Sequence, residues 1–227
     1  MTKSQIDRLG ERLKEGNLNE ENLRLLDEYR RSFSHAYERV INIIRQNLNL
    51  EPTGRPTKST QSIVQKLRRE SIRLTQMQDV AGCRITVENV RAQEEAIREL
   101  ATLFEKVSVS DRRRTPSHGY RAVHVVVRID DIAVEVQVRT SLQHLWAELS
   151  EKLADVSVPE IKYGGGSVLE RDYLARFSRV IAEVEIGEPE QDYPTIKRVL
   201  SDELRTMISY LSKLGSERKA KQNDLPH

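Results

Sequence analysis

Cysteine is nearly missing from this sequence. Cys83 stands alone among 227 residues, which excludes an intramolecular disulfide and leaves too few thiolates for a cysteine-based zinc site. Long apolar runs are missing as well. Nothing approaches the roughly 18 consecutive apolar residues that a bilayer requires, and no secretory leader pattern opens the chain, so a cytoplasmic protein with no membrane partner is expected. The sequence contains no G-x-x-x-x-G-K-[ST], which excludes a P-loop. Repeats and low-complexity segments are absent. An excess of one charge is also lacking: 37 Lys and Arg stand against 35 Asp and Glu, for a net charge of +2. Overall charge therefore does not by itself imply nucleic acid, and local clusters, Arg112-Arg113-Arg114 and Lys66 to Arg73, carry more information. What is present is 32% charged and 37% hydrophobic residues. That is enough for one generous domain, or for one domain with helical additions.

The most informative stretch runs from Ser117 to Thr140, SHGYRAVHVVVRIDDIAVEVQVRT. Two strand-like runs flank Asp130-Asp131, a pair suited to a tight reversal. With those two residues as the loop, Ile129 meets Ile132, Val126 meets Glu135 and His124 meets Gln137. Strand side chains alternate between faces and paired residues share one. One face then carries Ala122, His124, Val126, Glu135, Gln137 and Arg139. The other carries Val123, Val125, Val127, Ile129, Ile132, Val134, Val136 and Val138, an aliphatic core face. The polar face is either a solvated sheet surface or a site for a charged substrate, and its residues converge beside Gly119-Tyr120.

Residues 2–48 read as helical, with Ile6, Leu9 and Leu13 at helical spacing, a stop at Gly16-Asn17, and a longer helix from Asn19 striped by Leu23, Leu26, Tyr29, Phe33, Tyr37, Val40, Ile41 and Ile44. Pro and Gly forbid a helix through Pro56, after which Ser59 or Thr60 caps a helix to about Glu70. Arg55 and Lys58 precede that N-terminus, Ser62 lies in its first turn and Lys66 one turn on. The arrangement is a phosphate seat or a basic loop in water. Residues 79–87 read as a buried strand with Asp79 at its entrance, where it binds a divalent metal or caps a turn. Arg84 has the opposite parity to Asp79, so it serves another subsite unless a bulge at Gly82 resets the alternation. A helix over 90–104, a strand near 106–110 and a helix over 141–154 follow, the last with Trp146 as a core anchor. Tyr163-Gly164-Gly165-Gly166 is a flexible loop. Helices over 168–184 and 195–214 are separated by a turn at 187–194, and a polar, unstructured tail begins at Gly215.

Four motifs in order carry a resemblance over about residues 50–155. They are Arg55-x-x-Lys58-Ser59-x-x-Ser62-Ile63 with Lys66, then Asp79-Val80-x-Gly82-x-Arg84, Gly119-Tyr120-Arg121-x-x-His124, and Glu135-Val136-Gln137-Val138-Arg139-Thr140. Each is weak alone; together they identify the chain as similar to the synthetase domain of the RelA/SpoT alarmone synthetases, in particular the small single-domain members and their toxin-like relatives. The resemblance implies an α+β fold: a nucleotidyltransferase-like mixed sheet flanked by helices. It implies N-terminal helices over 1–50, a synthetase core over 51–155, C-terminal helices over 156–214 and a tail over 215–227.

It also implies a Mg²⁺-dependent pyrophosphokinase that moves the β,γ-diphosphate of ATP onto a ribose 3′-hydroxyl and releases AMP. By carry-over, Arg55, Lys58, Ser62 and Lys66 engage ATP phosphates and Arg84 helps hold the donor nucleotide. Asp79 and Glu135 hold magnesium, and Glu135 is the base that prepares the hydroxyl. Tyr120 stacks on the acceptor base while His124, Gln137 and Arg139 orient the acceptor. The chemistry suits these types, because phosphoryl transfer depends on in-line positioning and charge neutralisation, and magnesium prefers hard oxygen ligands.

The sequence departs from the family pattern in places. Ala122 replaces the usual serine, Ser150-Glu151 replaces a common Glu-His pair, Arg55 and Lys58 are separated by two residues where many members have one between them, and no hydrolase segment is expected. The donor machinery is intact and the acceptor site is blurred. GDP or GTP is the leading acceptor, the 3′-CCA end of tRNA the second, and a catalytically silent RNA-binding or interaction module the alternative from another class. For tRNA, Arg112–Arg114 and Lys66–Arg73 would meet phosphate backbone, although the same residues suit a 5′-phosphate subsite or a solvated surface. An antitoxin protein and a homo-oligomer remain open as partners.

Overall fold

The computed structural model describes residues 1–187 and 193–223; the side chains of Arg55, Tyr193 and residues 218–223 lie outside the described residues. In chain order the elements are α1 (Lys3–Lys14), α2 (Glu20–Arg31), α3 (Ser34–Leu48), β1 (Thr53–Arg55), α4 (Thr60–Glu70), β2 (Ala81–Val87), α5 (Val90–Leu103), β3 (Val107–Asp111), β4 (Val123–Ile129), β5 (Ile132–Thr140), α6 (Ser141–Val156), α7 (Val168–Ile186) and α8 (Tyr193–Asn223), with short 3₁₀ turns at Leu74–Gln76 and Pro159–Tyr163. This is the mixed α+β architecture expected from the sequence. The chain separates into two compact units, 1–85 with 94–110 and 124–138, and 86–93 with 111–123 and 139–227.

The first unit is built on a five-stranded sheet of order β1-β2-β5-β4-β3. β1 runs antiparallel to β2, with Thr53 opposite Arg84, Gly54 opposite Cys83 and Arg55 opposite Gly82. The hairpin reverses at Asp130 and Asp131, whose φ angles of 48° and 64° are the left-handed pair that a two-residue turn requires and that aspartate tolerates. The aliphatic face of β4 and β5 is buried at Val123, Val125, Val127, Val134, Val136 and Val138. Leu9, Leu13, Leu26, Ile63, Leu67 and Leu74 form a helical cluster in the same unit, as the apolar spacing of α1, α2 and α4 dictates.

Two expectations for the helices need correcting. The long helix from Asn19 breaks at Ser32–Phe33. There the Ser32 hydroxyl donates to the Tyr29 carbonyl at 2.6 Å, and its N–H is shared between Glu28 and Tyr29 carbonyls, so a serine competes with the helical ladder and turns the chain. At the other end, α8 runs through Gly215 to Asn223, so the expected loose tail is helical that far. Its sequence there, Ser216-Glu-Arg-Lys-Ala-Lys-Gln-Asn223, is rich in good helix formers. Most of the expected turn between α7 and α8, residues 188–192, and the last residues 224–227 lie outside the described residues.

In the second unit Trp146 is buried among Leu142, Leu145, Leu149, Leu174 and Ile181, and its indole N–H donates to the Leu174 carbonyl at 2.9 Å. Trp146 is the core anchor that its place on an apolar helix face implies.

Candidate active site

In the first unit, α4 begins with Ser59 as its cap: the Ser59 hydroxyl oxygen accepts from the Ser62 N–H at 3.3 Å. Ser62 is thereby fixed in the first turn, and its own hydroxyl pairs with that of Ser59 at 2.8 Å. Just ahead, the Lys58 N–H donates to the Val80 carbonyl at 2.7 Å, which lashes the basic segment to the entrance of β2. The consequence is a clamp. Lys58 Nζ lies 2.5 Å from one oxygen of Asp79 and Lys66 Nζ 2.9 Å from the other. All three side chains are largely buried, with 15–19% of their surface exposed. Burial pushes the Asp79 carboxyl up, but the two ammonium groups outweigh it, and the net displacement is below the usual carboxylate range.

On the hairpin, Glu135 is held in the same fashion. His124 Nδ1 lies 2.8 Å from Glu135 Oε1 and the Gln137 amide donates to Oε2 at 2.8 Å. Burial again raises the carboxyl, while the bond and charge of His124 and the bond of Gln137 bring it below its ordinary value; the negative charge of Asp79 works against them. The charge of Asp79 thus reaches Glu135, although both Asp79 oxygens are taken by lysines. Gly82 explains how β2 and β5 approach: an added Cβ would lie 2.9 Å from the Glu135 carbonyl oxygen and 3.5 Å from its Cβ. Gly82 shares the face of Glu135, and Arg84, two residues on, shares it too. The conflict of parity with Asp79 disappears, because Asp79 precedes the strand, which starts at Ala81.

Among the described residues no group of three or more His, Cys, Asp or Glu side chains is arranged to hold a metal, so a dedicated all-protein cage is not what these residues form. Two hard carboxylates fit magnesium nonetheless, since that ion keeps several waters and takes one or two carboxylates together with substrate phosphates.

The second unit holds Tyr120 and Arg139. The Arg139 guanidinium donates to the Tyr120 hydroxyl at 2.9 Å and lies 5.0 Å from the ring centroid, so one ring is fixed at its edge and its face. Tyr120 is half-buried, and Trp146 lies 6.4 Å away between centroids. Gly119 makes this packing feasible: at a φ of 89°, a Cβ there would lie 2.7 Å from the Trp146 ring. Arg139 is only 5% exposed and Ala122 fully buried, while His124, Glu135 and Gln137 are half-buried. The polar face of the hairpin is thus only partly open to water.

Each unit thus assembles part of the expected set. Lys58, Ser62, Lys66, Asp79, Arg84, His124, Glu135 and Gln137 belong to the first, Tyr120 and Arg139 to the second. Arg55 sits in β1, and its side chain lies outside the described residues. Sequence reasoning missed the double clamp on Asp79, whose partners lie 21 and 13 residues away. It also read Arg112–Arg114 as one basic run. Arg113 is instead turned back onto Asp111 at 2.5 Å, and the pairing depresses the Asp111 carboxyl; Arg112 and Arg114 are exposed. An acid two residues before an arginine was the available signal.

Residues 54–154 match the model of the region found in RelA / SpoT proteins, and all four motifs, from Arg55 to Thr140, fall within that span. An uncharacterised protein of Mycobacterium tuberculosis is 40% identical over 110 residues, covering 47% of this chain and 40% of that protein. The GTP pyrophosphokinase YwaC of Bacillus subtilis is 31% identical over 136 residues, covering 49% of this chain and 61% of that protein. The matches thus span about half the length of these curated relatives. In structure, the chain is similar to small alarmone synthetase 1 of Bacillus subtilis bound to its product pppGpp, with a TM-score of 0.56 and 25% identity over 74% of this chain and 94% of that one. Among the described residues, no helix is long and apolar enough to cross a membrane.

Proposed function

We propose that the chain is an ATP-dependent pyrophosphokinase that transfers the β,γ-diphosphate of ATP to the ribose 3′-hydroxyl of GDP or GTP and releases AMP. The observation that carries the reading is Glu135: a half-buried carboxylate held by His124 and Gln137 and displaced below its ordinary range by them, which can accept a proton. The solved relative bound to pppGpp and the relatives named GTP pyrophosphokinase support the same class of substrate.

In this mechanism the acceptor 3′-oxygen forms a bond to the β-phosphorus of ATP. The bond from that phosphorus to the oxygen bridging the α-phosphate breaks, and AMP departs with that oxygen. The hydroxyl proton passes to Glu135, whose geometry is set before the substrate arrives, so little reorganisation accompanies transfer. Lys58 and Lys66 neutralise donor phosphates, with Ser62 at the N-terminus of α4, Arg55 and Arg84 completing the donor seat. Asp79 and Glu135 would hold magnesium, which when bound supplies charge neutralisation on the transferring group. Tyr120 presents its face to the acceptor base with its tilt set by Arg139, while His124 and Gln137 orient the acceptor and the carboxylate together.

The tRNA 3′ end is the second acceptor to test, because Arg112 and Arg114 are exposed on either side of an anchored Arg113, a spacing suited to a phosphate backbone. The experiment is incubation with γ-labelled ATP and either GDP, GTP or bulk tRNA. Label in guanosine nucleotide with none in tRNA is expected. The reverse makes tRNA the acceptor, and label in neither defeats the pyrophosphokinase reading in favour of a silent binding module.

A further inference from the structure

A third carboxylate, that of half-buried Glu185 near the end of α7, lies outside everything assigned above. It accepts from the Thr140 hydroxyl and, at 2.9 Å, from the side-chain amide of Gln143. The Gln143 amide oxygen accepts from the Gln93 amide at 2.9 Å. The Gln93 oxygen in turn accepts from Arg113 Nη1 at 3.3 Å. Gln93 is fully buried and Gln143 nearly so.

The sequence of partners has a direction. An ionised carboxylate only accepts hydrogen bonds and a guanidinium only donates them, whereas an amide does either according to which way it is flipped. With Glu185 at one end and Arg113 at the other, both glutamines have one consistent orientation, and every donated proton points from the basic loop toward α7. The carboxyl of Glu185 is raised by burial against the bonds from Thr140 and Gln143 and the charges of Arg121 and Arg113. It is thus held by amide and hydroxyl contacts with arginine charge behind them. A second tie runs in parallel: Arg121 donates to the Arg113 carbonyl and, through Nε, to Ser178 of α7 at 2.9 Å. Arg113 is therefore fixed at its side chain and at its backbone, while its neighbours Arg112 and Arg114 stay exposed.

We propose that Glu185 is a positioning residue for acceptor recognition: it terminates a directional relay, Arg113 to Gln93 to Gln143 to Glu185, that holds the 111–121 loop and hence Tyr120 in register for the acceptor. The proposal rests on the pyrophosphokinase reading for what the loop binds, and on the hydrogen-bond chain for how it is held.

The test is Glu185→Gln in the full chain, which keeps size but places a donor where the relay needs an acceptor, with Glu185→Asp as the variant that keeps an acceptor-only end. Two quantities are measured: KM for ATP and for the acceptor separately, and amide hydrogen exchange across 111–121 against 58–85. E185Q is expected to raise the acceptor KM about tenfold, the equivalent of one lost hydrogen bond, with ATP KM and kcat within about twofold and faster exchange confined to 111–121. E185D is expected to fall between E185Q and the unmodified protein in both readouts. Unchanged acceptor KM and exchange in folded E185Q, an equal rise in both KM values, or failure of both variants to fold would each overturn the relay. A wild-type protein that transfers label to no acceptor defeats the functional reading alone, and the exchange measurement then decides the relay by itself.

Discussion

Asp79 in the first unit and Glu185 in the second are both half-buried carboxylates, and their ionisation is displaced in opposite directions. Burial raises each of them. What differs is the company. Asp79 has an ammonium group on each oxygen, and full charges in direct contact overcome the loss of water. Glu185 has a hydroxyl and an amide, which satisfy its oxygens without cancelling its charge. Glu135 falls between, with imidazole and amide partners and a net displacement downward. The lesson is that a count of hydrogen bonds does not set the direction in which a half-buried acid is displaced; the charge brought by its partners counts against burial. Acids suited to a metal or a proton are those whose partners keep them ionised.

The largest effect that would break this contrast comes from Glu135→Gln, which preserves shape and removes the base. Transfer from labelled ATP is expected to fall by about 10²–10⁴-fold while the thermal midpoint stays close to the original; full activity in the folded variant would remove Glu135 from the mechanism. Tyr120→Ala is expected next, with acceptor KM rising by about 5- to 150-fold for the roughly 1–3 kcal/mol that base stacking contributes, and Tyr120→Phe well below it because the ring persists. Asp79→Asn leaves two lysines facing one another without their counter-charge, and urea denaturation is expected to register a loss of roughly 3 kcal/mol, part of which Lys58→Met in the same chain restores.

The smallest effect sharpens the comparison most, because the two acids give slopes of opposite sign. Asp79 is depressed in the folded state, so its contribution is complete above the unfolded carboxyl range and is lost as pH falls through the lower folded value. Glu185 is raised, so its contribution is complete below the unfolded range and is lost as pH rises through the higher folded value. Urea midpoints from about pH 3 to pH 7 should therefore show the stability of the wild type over Asp79→Asn widening as pH rises, and that over Glu185→Gln narrowing. Parallel curves would erase the distinction.

What the sequence disclosed was local. Asp130-Asp131 announced its turn because aspartate tolerates left-handed backbone, and Ser59 announced its helix because a hydroxyl satisfies a free N–H. The alternation of β4 and β5 alone puts His124, Glu135 and Gln137 on one face. The features it withheld depend on partners far along the chain: two lysines on Asp79, and the Gln93–Gln143 bond across 50 residues. Periodicity carries no information about which distant amide faces which. The break at Ser32 was missed for a different reason, since the apolar stripe continues across it and only the hydroxyl bond to Tyr29 marks the bend.

Gly82 lends the first unit a constraint that chemistry alone would not impose. A carbon added at Gly82 would lie 2.9 Å from the Glu135 carbonyl oxygen, too close to stay without a shift, so two strands far apart in the chain meet at a point where the smallest residue is a spacer of fixed thickness. Widening that spacer by a methyl group would shift the proton acceptor bodily while leaving every charge in place, and so would separate where the carboxylate stands from whether it is ionised.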